Sequence, residues 1–121
     1  MNDPKAIADS YISVWNESDP ALRRQKLADG WSADANYADP LMAAAGYDDI
    51  SAMIEGARSQ FPGYSFAVTG TPDGHGAFVR FSWQAARDGE APLIEGTDVV
   101  MLDGDGRIVE VVGFLDRVPT A

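Results

Sequence analysis

The chain has 121 residues, 45% of them hydrophobic, which is enough for one domain with one core and too little for two. Nineteen acids against nine bases give a formal net charge of −10, which repels phosphate backbones and anionic lipids, so neither nucleic acid nor a membrane is expected as a partner. With no cysteine and a single histidine, His75, the chain lacks disulfides, thiolate ligands and the nitrogen donors of an ordinary zinc site, so no metal is expected. Residues 1–11 contain no apolar signal core and no apolar run approaches membrane length, which predicts a cytoplasmic location.

In chain order, residues 4–17 read as a helix, with Pro4 in the first turn and Ile7, Tyr11, Val14 and Trp15 on one face. A second helix opens at Asp19-Pro20, carries Leu22 and Leu27, and stops near Gly30; its Arg23, Arg24 and Lys26 are expected on a solvated face. Residues 35–39 read as a short strand ended by Asp39-Pro40. A third helix begins at Asp48 or Asp49, with Ile50, Met53, Ile54, Ala57 and Phe61 as its apolar stripe, and Pro62-Gly63 ends it. Strands are expected at 65–70, 77–86, 93–102 and 107–115, separated by turn-rich connections short enough for antiparallel hairpins. Helices beside an antiparallel meander give an α+β domain spanning residues 1–121, with helices on one sheet face.

Strand alternation places Ile94, Gly96, Asp98, Val100 and Leu102 in one row. If that row faces inward, the Asp98 carboxyl is buried and must be hydrogen-bonded or protonated; in the opposite register it faces water. Asp39 before Pro40 is either a turn former or a proton-accepting carboxylate. Tyr11 is either a packed core residue or a hydroxyl aimed into a cavity. Trp15, Trp31, Tyr37, Phe81 and Trp83, with Val79 and Val100 on the same strand faces, are candidates for the wall of a pocket for a small apolar organic molecule. His75 lies in a loop-like Asp-Gly-His-Gly segment and is expected to be exposed; Asp103-Gly-Asp-Gly lacks the later ligands of a calcium loop and reads as a hairpin turn.

Several stretches occur together in a telling order. Tyr11 and Trp15 are followed by Asn16-Glu17-Ser18-Asp19, then by Ala33-Asp34-Ala35-Asn36-Tyr37-Ala38-Asp39-Pro40. Glu95-Gly96-Thr97-Asp98-Val99, Asp103-Gly104-Asp105-Gly106-Arg107-Ile108 and Gly113-Phe114-Leu115-Asp116 close the chain. This resembles the nuclear transport factor 2-like superfamily in its SnoaL-like and ketosteroid-isomerase-like branch, over nearly the whole length. The resemblance implies a cystatin-like, cone-shaped fold, in which a bent antiparallel sheet with a mixed edge wraps three helices and leaves a pocket at the open end, and it implies homodimers through the sheet. It also implies roles for three residues: Tyr11 and a protonated Asp98 as hydrogen-bond donors, and Asp39 as the base. A neutral carboxylic acid serving as donor is the known device of the isomerases.

Three functions follow from these readings. The first is proton transfer on an apolar ketone, as in an isomerase or polyketide cyclase, with no cofactor. The second is an epoxide hydrolase, which needs a water between two carboxylates and a cation nearby, or a dehydratase, which would enlist His75. Arg80 is the nearest candidate cation, although alternation sets it on the outer face, opposite Phe81 and Trp83. The third is a non-catalytic module that binds a ligand, or a partner chain on an outer sheet face made of Val99, Met101, Val109 and Val111. The tryptophans Trp15, Trp31 and Trp83 point to a pocket narrower than a steroid needs.

Overall fold

The computed structural model describes residues 3–119. Helix α1 (Pro4–Asn16) is started by Asp3, whose carboxylate accepts from the Lys5 amide at 3.0 Å. It buries Ala8, Tyr11, Ile12, Val14 and Trp15. At its end the Asn16 amide bonds the Phe66 backbone in both directions, each at 2.8 Å, and so ties the helix to the sheet. Helix α2 (Pro20–Gly30) is capped by Asp19 in the same way, through the Ala21 amide at 2.9 Å.

The expected solvated face of α2 is only partly solvated, because Arg23 is 0% exposed. Its guanidinium donates to the Glu17 carbonyl at 2.8 and 3.0 Å and to the Ser51 carbonyl at 3.3 Å. It therefore satisfies backbone acceptors where α1 ends and clamps α1 and α2 onto the third helix. Helical spacing explains the exchange. Arg23 and Leu27 are four residues apart and share the inward face, whereas Leu22 is five from Leu27 and lies 48% exposed. Arg24 remains outside with Asp48, and Lys26 reaches Glu17 at 3.0 Å.

Strand β1 (Trp31–Ala38) starts directly after α2, four residues earlier than the sequence suggested, and points Trp31, Ala35 and Tyr37 inward. A short strand β2 (Ala43–Ala45), unforeseen in the sequence, returns antiparallel against it. Gly46, with φ of +80°, turns the chain into α3 (Tyr47–Gln60), which buries Ile50 and Ile54. The remaining strands are β3 (Tyr64–His75), β4 (Phe78–Arg87), β5 (Ile94–Leu102) and β6 (Ile108–Arg117). The stretch 71–75, expected to connect two strands, is the far end of β3 beyond a register shift between Thr69 and Asp73. His75 there is exposed.

The sheet order is β2-β1-β6-β5-β4-β3. All neighbours are antiparallel except β1 and β6, which run parallel. The last strand thus inserts between the first and the meander, giving the expected mixed sheet. The sheet is curved but open, with β2 and β3 at its edges, and so is not a closed barrel. Irregularities at four places bend it. One of them corrects the outer face. Met101 pairs with Glu110 and Leu102 with Ile108, leaving Val109 as the inserted residue and reversing the alternation beyond it. Val111 is accordingly buried, and Val112 and Phe114 face outward in its place. Among the described residues no helix is long and apolar enough to cross a membrane.

Candidate functional site

The row on β5 faces inward: Gly96, Asp98, Val100 and Leu102 are all buried, and Asp98 is 2% exposed. Its carboxyl is held by two side chains. The Tyr11 hydroxyl approaches Oδ2 at 2.5 Å, and the Trp83 indole N–H donates to Oδ1 at 3.2 Å. Burial pushes the Asp98 carboxyl up to about 6; the Tyr11 and Trp83 hydrogen bonds oppose this rise and the nearby Asp39 charge adds to it. Burial, followed by the Asp98 charge, drives the Tyr11 hydroxyl well above the ordinary tyrosine value. The Trp15 indole weakly opposes that rise, yet its N–H stays outside hydrogen-bonding geometry and is buried without a partner.

Asp39 lies one residue past β1. Its Oδ1 accepts from the Leu41 and Met42 amides, each at 2.8 Å, so the turn-forming role expected of an Asp-Pro pair is filled. Its Oδ2 accepts from the Tyr37 hydroxyl at 2.6 Å. Burial, then the Asp98 charge, raises the Tyr37 hydroxyl as well. Both residues border Gly113, which pairs with Asp98 in the β5–β6 register. A Cβ at Gly113 would fall 2.9 Å from Asp98 Oδ1 and 3.1 Å from Asp39 Cβ. Sequence reasoning did not single out this glycine as a site residue. The available signal was a glycine inside a strand, which marks close approach of other groups.

A cavity of about 160 Å³ adjoins these groups. Tyr11, Ile12 and Trp15 from α1, Tyr37 and Asp39 from β1 and its turn, Phe61 from the end of α3, Phe66 from β3 and Trp83 from β4 form much of its wall. Leu41, 75% exposed, and Val118 lie on its open side. The aromatic rings brace one another: Trp15 lies 5.8 Å from Tyr37 and 5.4 Å from Phe66, and Phe66 lies 5.7 Å from Trp83. Of the residues expected on the wall, Trp15, Tyr37 and Trp83 are there. Trp31, Val79, Phe81 and Val100 are instead packed in the core, with Trp31 stacked on Tyr11 and Phe81 edge-on to it. Asp98 is likewise off the wall, behind Tyr11 and Trp83, so it reaches the cavity through those two side chains.

The other ionisable candidates face away. Arg80 pairs with Asp73 at 2.7 Å on the outer surface, and His75 is exposed, which removes both from the hydrolase or dehydratase reading. Asp103 accepts from the Asp105 and Arg107 amides and closes a hairpin turn, as expected. Among the described residues no three His, Asp or Glu side chains are grouped as metal ligands would be.

The profile of the SnoaL-like domain family matches residues 8–111. The chain belongs to the SnoaL-like family. A solved structure of a candidate isomerase of this SnoaL-like family from Agrobacterium tumefaciens strain C58 is 48% identical, covers 96% of this chain and 99% of its own, and superposes with a TM-score of 0.91. Two more distant structures share the fold alone. A candidate polyketide cyclase from Sinorhizobium meliloti is 16% identical over 89% of this chain and 93% of its own, with a TM-score of 0.69. A protein of ketosteroid-isomerase-like fold from Catenulispora acidiphila, solved with trimethylamine, is 16% identical over 88% and 82%, with a TM-score of 0.70. No curated protein sequence matches the chain. The SnoaL-like assignment bears out the nuclear transport factor 2-like resemblance drawn from the sequence.

Proposed function

We propose that this SnoaL-like protein catalyses cofactor-independent proton transfer on a small apolar ketone. The observation that carries the reading is the Tyr11–Asp98 pair, closed to 2.5 Å in apolar surroundings at the back of a cavity that has Asp39 on its wall. Asp39 removes a proton from the carbon next to the carbonyl, and the electron pair moves onto the carbonyl oxygen. Tyr11 donates to that oxygen, while protonated Asp98 donates to Tyr11 from behind and so frees the Tyr11 proton for the ligand. Asp39 then returns the proton to a different carbon and the carbonyl re-forms, leaving an isomerised ketone with atoms and charge balanced. The role of Asp98 therefore differs from that of a donor touching the ligand, because the tyrosine stands between them.

The reading is tested with cyclohex-3-enone in deuterated buffer, following deuterium uptake and formation of the conjugated enone. The rate should fall as pH rises through about 6, where Asp98 loses its proton. Tyr11→Phe should lower it by about 10²–10³-fold. Absence of uptake, or uptake undiminished in Tyr11→Phe, would refute the mechanism.

A second reading concerns the outer sheet face and stands beside the first. Phe78, Val112 and Phe114 are exposed there, with Phe114 at 54%. Cross-strand pairing sets Phe78 beside Met101 and Val112 beside Val99, making one apolar area. We read it as the contact of a homodimer formed through the sheet. Sedimentation should show a dimer for the wild type and a monomer for Phe114→Lys; a monomeric wild type at micromolar concentration removes the reading.

A further inference from the structure

We propose that Trp83, laid flat over Gly96, sets the size of the molecule this cavity takes, and that the cavity selects compact ligands of one ring bearing a hydrogen-bond acceptor. The inference rests on the cavity being the ligand site.

Trp83 on β4 stands directly opposite Gly96 on β5. A Cβ at Gly96 would lie 2.4 Å from Trp83 Cζ2 and 2.6 Å from Cε2, distances no real Cβ tolerates, and 2.8 Å from the Phe114 carbonyl. The missing side chain is the space in which the indole rests. In that position the ring forms cavity wall, packs on Phe66, and directs its N–H to Asp98. Any side chain at position 96 must drive the indole away from the sheet, with the cavity as the open space available and the Asp98 bond lost. Gly96 is thus a positioning residue that acts through Trp83, and Trp83 determines specificity.

The enclosed volume supports a compact ligand. Sites for drug-sized molecules span about 300–1,000 Å³, whereas an apolar cavity of about 150 Å³ accepts a benzene ring. At about 160 Å³ this cavity belongs with the latter. A fused-ring molecule seated fully inside would require the space the indole fills. The acceptor requirement comes from Tyr11, on the cavity wall, whose hydroxyl is the donor that the proposed mechanism turns toward the ligand when protonated Asp98 donates to it from behind. A ligand without an acceptor would leave that hydroxyl proton unmatched.

Binding, not turnover, tests this, so that failure of the proton-transfer mechanism leaves the result interpretable. Cyclohexanone, methylcyclohexane and 2-decalone are compared by calorimetry and ligand-observed NMR on the wild type, Trp83→Leu, Trp83→Phe and Gly96→Ala, each checked for folding by circular dichroism. The wild type should prefer cyclohexanone over both other probes by about tenfold or more. Trp83→Leu and Trp83→Phe should improve 2-decalone binding relative to cyclohexanone by about tenfold, and Gly96→Ala should weaken cyclohexanone binding by a similar factor. A wild type that binds 2-decalone as well as cyclohexanone overturns the size limit. So does a size preference unchanged in both Trp83 variants, even if Gly96→Ala fails to fold. Equal binding of methylcyclohexane and cyclohexanone overturns the acceptor requirement.

Discussion

Asp39→Asn is expected to slow deuterium uptake by cyclohex-3-enone by about 10²–10⁴-fold while leaving cyclohexanone binding intact. The substitution isolates chemistry from structure because Asn can keep the turn. Its Oδ1 still accepts from the Leu41 and Met42 amides, and the Tyr37 hydroxyl can reverse its polarity to accept from the new amide group. What disappears is the capacity to take a proton from carbon. Unchanged uptake in a folded Asp39→Asn variant would mean that another group is the base. Among the residues on the cavity wall no other carboxylate is available.

Asp98→Asn is expected to make the protein more stable at neutral pH. The carboxyl has an ordinary value of 3.8 and burial raises it to about 6. The folded state therefore holds this proton more tightly than the unfolded chain does. Its contribution is fully present below 3.8, is lost as pH rises toward about 6, and stays lost above it. The loss is on the order of 3 kcal/mol. Asparagine mimics the neutral acid: its oxygen can accept from the Trp83 N–H and its amide can donate to the Tyr11 oxygen. Urea denaturation from pH 4 to 8 should show the wild type losing stability relative to Asp98→Asn across this window, with the variant ahead by about 1–3 kcal/mol at pH 7. The same variant should retain deuterium uptake above pH 6, where the wild type declines. Parallel stability profiles for the two proteins would show that Asp98 is not buried as a neutral acid. Diverging profiles would mean that function is served by a group that costs stability, a common pattern at active sites.

The local elements were largely written in the chain. Periodicity in residues 4–17 placed Tyr11 and Trp15 on the buried face of α1, and alternation along β5 placed Asp98 in one row with Val100 and Leu102, a row the structure turns inward. The Asp3-Pro4 and Asp19-Pro20 pairs opened their helices because cap and proline act on neighbouring backbone. Failures came where the pattern depends on a partner. Arg23 looked solvated because a helix-borne cation usually is, and acceptors on neighbouring elements, the Glu17 carbonyl at the end of α1 and the Ser51 carbonyl on α3, make its burial favourable. Val111 was assigned outward because the inserted Val109 cannot be seen without the β5 register. Trp31, Val79, Phe81 and Val100 were inward as expected, but inward includes both packed core and cavity wall, and alternation does not separate the two.

Composition and pattern by themselves determined an acidic α+β chain with Asp98 in one row with Ile94, Val100 and Leu102 and a tyrosine on the apolar face of its first helix, since these follow from interactions within one element. The tertiary structure decided that Tyr11 and Asp98 touch, that Asp39 and Asp98 both border Gly113, and that Trp83 occupies the space Gly96 leaves. Those contacts depend on the parallel pairing of β1 with β6 and on the register of β4, β5 and β6. Register between strands distant in sequence is set by the packing of the whole sheet against α1 and α3, a collective choice that no single segment encodes.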